Sequence, residues 1–137
     1  MKIHHIGYLV DDIKIAAAEF AKLGFSPLEN VMEDSTREVY IQFLDNGGYI
    51  IELIQPVSEK SPFYSLRKKY RNSPYHICYA TGNLQRETEN ILNSGSGYIL
   101  LQPPEPAPAI RGGPDVAFFM NENIGMIELV ELMEEKQ

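Results

Sequence analysis

The sequence predicts an α+β fold made of two tandem copies of one βαβββ unit. Three observations predict it: an internal repeat at a fixed offset, the same order of strand and helix signals in both copies, and a histidine and a glutamate at matched places in each. The repeat is plainest where His5-Ile6-Gly7-Tyr8 returns as His76-Ile77-Cys78-Tyr79, an offset of 71 residues (76 − 5). At the same offset Asp12 answers Asn83, Ile13 answers Leu84, Ala17 answers Thr88, Phe20 answers Ile91 and Gly24 answers Gly95. Self-similarity held over about twenty residues marks a duplicated structural unit.

Each copy opens on a short run of β-branched and aromatic residues, which predicts a strand. Asp12 or Asn83 then offers a side-chain oxygen to the unpaired N–H groups of a helix start. Ile13, Ala17 and Phe20, and likewise Leu84, Thr88 and Ile91, fall at i, i+4 and i+7, which lays one stripe along a helix. Thr88 is the polar interruption of the second stripe. Gly24 and Gly95 stand where a left-handed C-cap is wanted.

Extended segments follow. In the first copy they cover residues 38–44 and 49–55, joined by the hairpin signal Asp45-Asn46-Gly47-Gly48, with a further short strand near 27–32. In the second copy they cover residues 98–101, 116–120 and 126–131. The Pro-rich stretch 102–113 between them has to be a loop or a sheet edge, because proline has no N–H to give to a ladder. Residues 57–74 join the copies. They carry Lys60, Arg67, Lys68, Lys69 and Arg71 and a short helix, and a charge run of this kind is ordinarily a solvated connector. The expected organisation is a single domain over 1–137, with module one at about residues 1–56, the linker at 57–74 and module two at 75–132.

Bulk properties narrow the function classes. A chain of 137 residues with 44% hydrophobic and 23% charged content has the size and balance of one soluble globular domain, able to bury a core without disulfides. There is no apolar run of about 18 residues, so no membrane-spanning helix is expected. The opening Met1-Lys2-Ile3-His4-His5 lacks the pattern of a signal peptide. The only cysteine, Cys78, allows no intrachain disulfide, which suits a reducing cytoplasm. A net charge of −7 lacks the basic footprint that nucleic acids or anionic lipid surfaces require, so neither partner is expected. It leaves room for a small anionic substrate, since a local site can differ from the whole.

The chemistry-bearing residues sit in the repeat. Glu52 in Ile50-Ile51-Glu52-Leu53-Ile54 matches Glu128 in Met126-Ile127-Glu128-Leu129-Val130. Their offset is 76 (128 − 52), five more than for the histidines, and the longer Pro-rich stretch of the second copy absorbs the difference. On a strand Glu52 shares a face with Ile50 and Ile54, and Glu128 with Met126 and Val130. An acid on such a face is costly unless it is paired or ligates a metal. A lone strand histidine is ordinarily a satisfied core residue; repeat-matched His and Glu reverse that expectation. Two imidazoles and two carboxylates from His5, Glu52, His76 and Glu128 suit one divalent ion, Zn, Fe, Co, Ni or Mn, with open positions left for substrate oxygens. His4 points to the opposite face from His5 and reads as a surface residue. Cys78 shares a face with His76 and reads as a small buried thiol. Glu131 reads as a rim charge, and Arg111, before Gly112-Gly113, as a surface arginine with the option of meeting a substrate anion.

From His4 to Glu131 these segments resemble the vicinal oxygen chelate superfamily, which includes glyoxalase I, methylmalonyl-CoA epimerase, extradiol dioxygenases, fosfomycin resistance enzymes and bleomycin-binding proteins. The opening His4-His5-Ile6-Gly7-Tyr8-Leu9-Val10-Asp11-Asp12-Ile13 resembles the family's DHIGIAVxDL start. Ile51-Glu52-Leu53-Ile54-Gln55-Pro56, running on to Ser61-Pro62, resembles the IELLEP…DSP segment of methylmalonyl-CoA epimerases. Tyr75-His76-Ile77-Cys78-Tyr79 resembles their HHICIEV strand and Ile127-Glu128-Leu129 their last strand. Two departures stand out: Phe119-Met120-Asn121-Glu122 where epimerases usually read FLHPK, and Ile41 where at least one characterised type carries a catalytic acid.

The resemblance implies a curved mixed sheet around a central metal site and a homodimer. It implies a metal-dependent isomerase or epimerase, methylmalonyl-CoA epimerase-like, that removes a proton next to a carbonyl or thioester through a metal-stabilised enolate. Glu128 and Glu52 are the candidate catalytic groups. A glyoxalase I-like lactoylglutathione lyase is the alternative enzyme, and a metal-free small-molecule binding or resistance protein the alternative of another class. Members of that last kind typically lack the metal ligands, so keeping all four favours an enzyme. The basic linker could meet the phosphates of coenzyme A.

Overall fold

The computed structural model describes residues 1–133. Among these, contacts group residues 5–75 into one unit and residues 1–4 with 76–133 into a second. In the first unit β1 (Lys2–Leu9) leads to α1 (Ile13–Ala21), and then come β2 (Ser26–Pro27), β3 (Met32–Asp34), β4 (Val39–Asn46) and β5 (Tyr49–Pro56). The β4–β5 hairpin is antiparallel from Val39↔Pro56 to Asn46↔Tyr49. Asp45 Oδ1 accepts from Gly48 N at 3.1 Å across its turn, where Gly47 and Gly48 take φ values of +61° and +96° that other residues resist. β1 runs parallel to β5, from Ile6↔Ile51 to Leu9↔Ile54. The strand expected near 27–32 is two short pieces, β2 and β3, both antiparallel to β4.

The connector follows as a 3₁₀ turn (Tyr64–Leu66) running into α2 (Arg67–Tyr70). The second unit then repeats the plan with β6 (Ser73–Thr81), α3 (Leu84–Leu92), β7 (Ile99–Pro106), β8 (Asp115–Asn121) and β9 (Gly125–Glu131). β6 is parallel to β9, β9 antiparallel to β8, and β8 antiparallel to β7. Both units are therefore βαβββ, each with one parallel and several antiparallel pairings, and the fold class is α+β. The strand expected to end at residue 101 runs on to Pro106. It can do so because β7 ends the strand order, where a missing N–H costs no ladder bond. The Pro-rich loop shrinks to residues 107–114, closed by Ala107 N donating to Pro114 O at 2.9 Å.

One face of each sheet is covered by its helix. Val10, Ile13, Leu44 and Leu53 form the buried cluster of the first unit, with Tyr8, Phe20 and Phe25 packed on it. Leu84, Ala117, Phe119, Ile127 and Leu129 form that of the second, with Tyr79, Ile91 and Leu100. Asp12 Oδ1 accepts from Ile15 N at 3.1 Å and Asn83 Oδ1 from Arg86 N at 3.0 Å, the expected caps. A second acceptor at each helix start comes from the last strand. Gln55 Oε1 takes Ile13 N at 2.9 Å, and Glu131 Oε1 takes Leu84 N at 3.0 Å. Glu131 is exposed as expected, yet it is a helix-capping group rather than a free rim charge. No helix among the described residues is long and apolar enough to cross a membrane.

The connector is anchored rather than only solvated. Asp11, at the end of β1, accepts from Arg67 Nε at 3.0 Å, Arg71 Nε at 2.7 Å and Asn72 Nδ2 at 3.2 Å, while Asn72 Oδ1 takes Asp11 N at 3.0 Å. Burial works against the charge on Asp11, but the hydrogen bonds from Arg71, Asn72 and Arg67 outweigh it and hold the carboxyl below its ordinary value.

Two outcomes are expected. Asp12→Ala and Asn83→Ala should each lower unfolding free energy by about 1 kcal/mol in urea denaturation, the usual cost of a lost N-cap. The Asp11 contribution should be fully present above the ordinary aspartate value of about 3.9 and vanish as pH falls through the lower folded value. Asp11→Asn should therefore weaken the protein at neutral pH and flatten that acid limb, read from urea midpoints against pH.

Candidate metal centre

The sheet faces turned away from the helices carry the candidate ligands. In the first unit Gly7 on β1 is the register partner of Glu52 on β5, which sets His5 two residues back on the same face. His5 Nε2 lies 3.3 Å from Glu52 Oε1. In the second unit Cys78 on β6 is the partner of Glu128 on β9, and His76 again stands two residues back. His76 Nε2 lies 3.1 Å from Glu128 Oε1. The relation between histidine and glutamate is the same in both copies, because the parallel register is the same.

All four residues are buried: His5 is 1% exposed, Glu52 6%, His76 3% and Glu128 4%. Burial of a carboxylate and an imidazole is expensive unless each meets a partner of opposite character. Here each pair offers one nitrogen and one oxygen. Metal bonds to such ligands run about 2.0–2.2 Å, which puts neighbouring ligand atoms on one ion roughly 3 Å apart. The separations of 3.3 and 3.1 Å fit that spacing, and a nitrogen–oxygen donor set fits a divalent first-row ion.

Sequence reasoning missed the aromatic wall of each pair. Phe43 on β4 is the register partner of Glu52, and Phe118 on β8 that of Glu128. His5 meets Phe43 edge to face at 5.2 Å and 81°, and His76 meets Phe118 at 5.3 Å and 83°. Such contacts fix the imidazole plane and keep water from one side of it. Phe43 and Phe118 are 75 residues apart (118 − 43), matching neither the histidine offset nor the glutamate offset. Only the hairpin registers reveal the correspondence.

The other candidates fall as follows. Cys78 takes part in no disulfide and is fully buried on the His76 face. His4 is half-buried rather than on the surface. Arg111 is exposed in the loop after β7. Ile41 is buried on β4 opposite Ile54.

A fold of paired βαβββ units with His and Glu on matched strands defines a class, the vicinal oxygen chelate fold. The sequence profile of the Glyoxalase/Bleomycin resistance protein/Dioxygenase superfamily matches residues 4–118, so the chain belongs to that superfamily. His5, Glu52 and His76 fall inside the match, and Glu128 lies just beyond it. An ethylmalonyl-CoA/methylmalonyl-CoA epimerase of Cereibacter sphaeroides is 24% identical over 114 residues, covering 82% of this chain and 84% of the relative. Among solved structures, a hypothetical protein from Bacillus halodurans superposes with a TM-score of 0.84 at 25% identity, over 99% of this chain and 97% of that one. The methylmalonyl-CoA epimerase of Streptomyces coelicolor in complex with 2-nitronate-propionyl-CoA gives 0.80 at 21% identity, over 95% and 96%. That of Mycobacterium tuberculosis gives 0.79 at 17%, over 94% and 86%.

Proposed function

We propose that this protein is an isomerase of the methylmalonyl-CoA epimerase type, acting on the carbon next to a thioester, with one divalent ion held jointly by His5, Glu52, His76 and Glu128. The observation that carries the reading is the duplicated, buried His–Glu pair in one register. Membership of the superfamily and the epimerase relative support it. When bound, a divalent ion acts as a Lewis acid toward a carbonyl oxygen and makes the neighbouring C–H more acidic.

The chain's own groups then have defined tasks. His5 and His76 present ring nitrogens, held in plane by Phe43 and Phe118. Glu128 takes the proton from the substrate carbon onto a carboxylate oxygen. Epimerisation requires a proton to leave one face of that carbon and a different proton to reach the other face, and Glu52, carrying a proton as the carboxylic acid, is the group to deliver it; exchange with solvent then restores both glutamates. Ile41 has no proton to exchange, so the acid–base work falls to these two glutamates. Met126 and Val130, on the same strand face as Glu128, keep competing water away. A metal-free binding protein has no use for a buried carboxylate in both units, which would only cost stability there. A homodimer in the cytoplasm goes with this reading.

Incubated in heavy water, the metal-loaded protein should incorporate deuterium at the carbon between the carboxylate and the thioester of methylmalonyl-CoA, detected by NMR. Glu128→Gln should lower exchange by about 10²–10⁴-fold with metal retained, because an amide cannot accept the proton. Glu52→Gln should be milder for exchange, since its amide oxygen still ligates and Glu128 still takes the proton, but should lose most of the inversion at that carbon. Exchange only into the glutathione hemithioacetal of methylglyoxal would assign the glyoxalase I reaction instead. No exchange into either would reject isomerase chemistry on both.

A further inference from the structure

Strand β7 carries an irregularity with a consequence for the site. Leu100 pairs with Phe119 and Gln102 pairs with Phe118, so β7 advances two residues while β8 advances one. The extra residue is Leu101. Leu100 packs into the apolar cluster under α3. Without the bulge Gln102 would follow it to that helix-covered face, because alternate residues of a strand share a side. The bulge turns Gln102 over. Register partners share a face, so Gln102, Phe118 and Glu128 form one row across β7, β8 and β9. His76 lies against the Phe118 ring in that row. Bulges of this kind re-aim side chains beside functional sites.

The Gln102 side-chain nitrogen is buried and has no hydrogen-bond partner among the described residues. A buried amide N–H left without an acceptor costs stability, and native proteins keep few of them without a reason. The first unit holds no counterpart. There the chain next to Phe43 is at Leu28, whose backbone N–H donates to Phe43 O at 2.9 Å. The amide is thus an addition to the second copy rather than a part of the duplicated framework.

We propose that Gln102 is a substrate-binding residue whose Nε2–H donates a hydrogen bond to an oxygen of the substrate's acyl group. The acceptor is a carboxylate or a thioester carbonyl oxygen, both present in a malonyl-type thioester. This inference rests on the proposed thioester reaction and names one contact by which that substrate is recognised.

Gln102→Leu removes the donor and keeps the bulk. With methylmalonyl-CoA its KM should rise about tenfold, the usual cost of one lost hydrogen bond to a charged or strongly polar group, with kcat changed far less. Its Tm should hold or rise, because no internal hydrogen bond is lost and an unsatisfied polar group is removed. Gln102→Glu replaces the donor with a carboxylate of the same shape and should raise KM further if the acceptor is the substrate carboxylate. A wild-type KM in Gln102→Leu, or a fall in Tm that accounts for the lost activity, overturns the inference. Should the wild-type protein exchange no deuterium into methylmalonyl-CoA, the proposed reaction fails on its own account. The Gln102 contact is then judged by calorimetric binding of methylmalonyl-CoA. About tenfold weaker binding by Gln102→Leu upholds it, and equal affinity, or no binding by the wild-type protein, overturns it.

Discussion

A carboxylate at the middle of a sheet, 4–6% exposed and hemmed by Ile, Leu, Met and Val, persists only where its charge is answered. In both units the answer is an imidazole delivered by the neighbouring parallel strand at 3.1–3.3 Å. Much else in each unit is subordinate to that register. The strand that presents Glu52 or Glu128 to one face sends Leu53 or Leu129 into the core on the other. Three residues beyond each glutamate, Gln55 or Glu131 locks the helix start. A one-residue slip of β5 or β9 would bury the wrong face, strand the carboxylate and uncap the helix together.

This coupling explains what was legible in the sequence. The His and Glu positions recur in both copies, at offsets of 71 and 76 residues, on segments that read as strands, so the matched sets and the faces they share follow from spacing, while the His–Glu pairing within each unit needed the strand register. The aromatic walls at Phe43 and Phe118 were not legible, because the two hairpins differ in length and break the offset. Gln102 was hidden by a bulge, which reverses the face that alternation assigns it. The helix caps from Gln55 and Glu131 and the pairing of Asp11 with Arg67 and Arg71 span 42 to 60 residues of chain, beyond any local signal. The Pro-rich segment read as a loop or edge, and it is both: an edge strand to Pro106, then a short closed turn.

The copies agree in what holds the histidines and glutamates and differ around them. The first unit closes its sheet beside β4 with two strand fragments and anchors the connector on Asp11. The second closes its sheet with the bulged β7, which carries a donor on the glutamate face. Duplication supplies a repeated donor set. On the proposed reading, the departure at Gln102 is where an asymmetric substrate finds a contact that the repeat does not supply.

The central claim is that both His–Glu pairs serve one ion. Nitrogen-15 NMR of the imidazole rings, followed while Zn²⁺ is added to metal-free protein, tests it most directly. The account predicts that the ring signals of His5 and His76 shift together and stop changing at one equivalent of metal. A shift of one histidine alone, or saturation only at two equivalents, would contradict it.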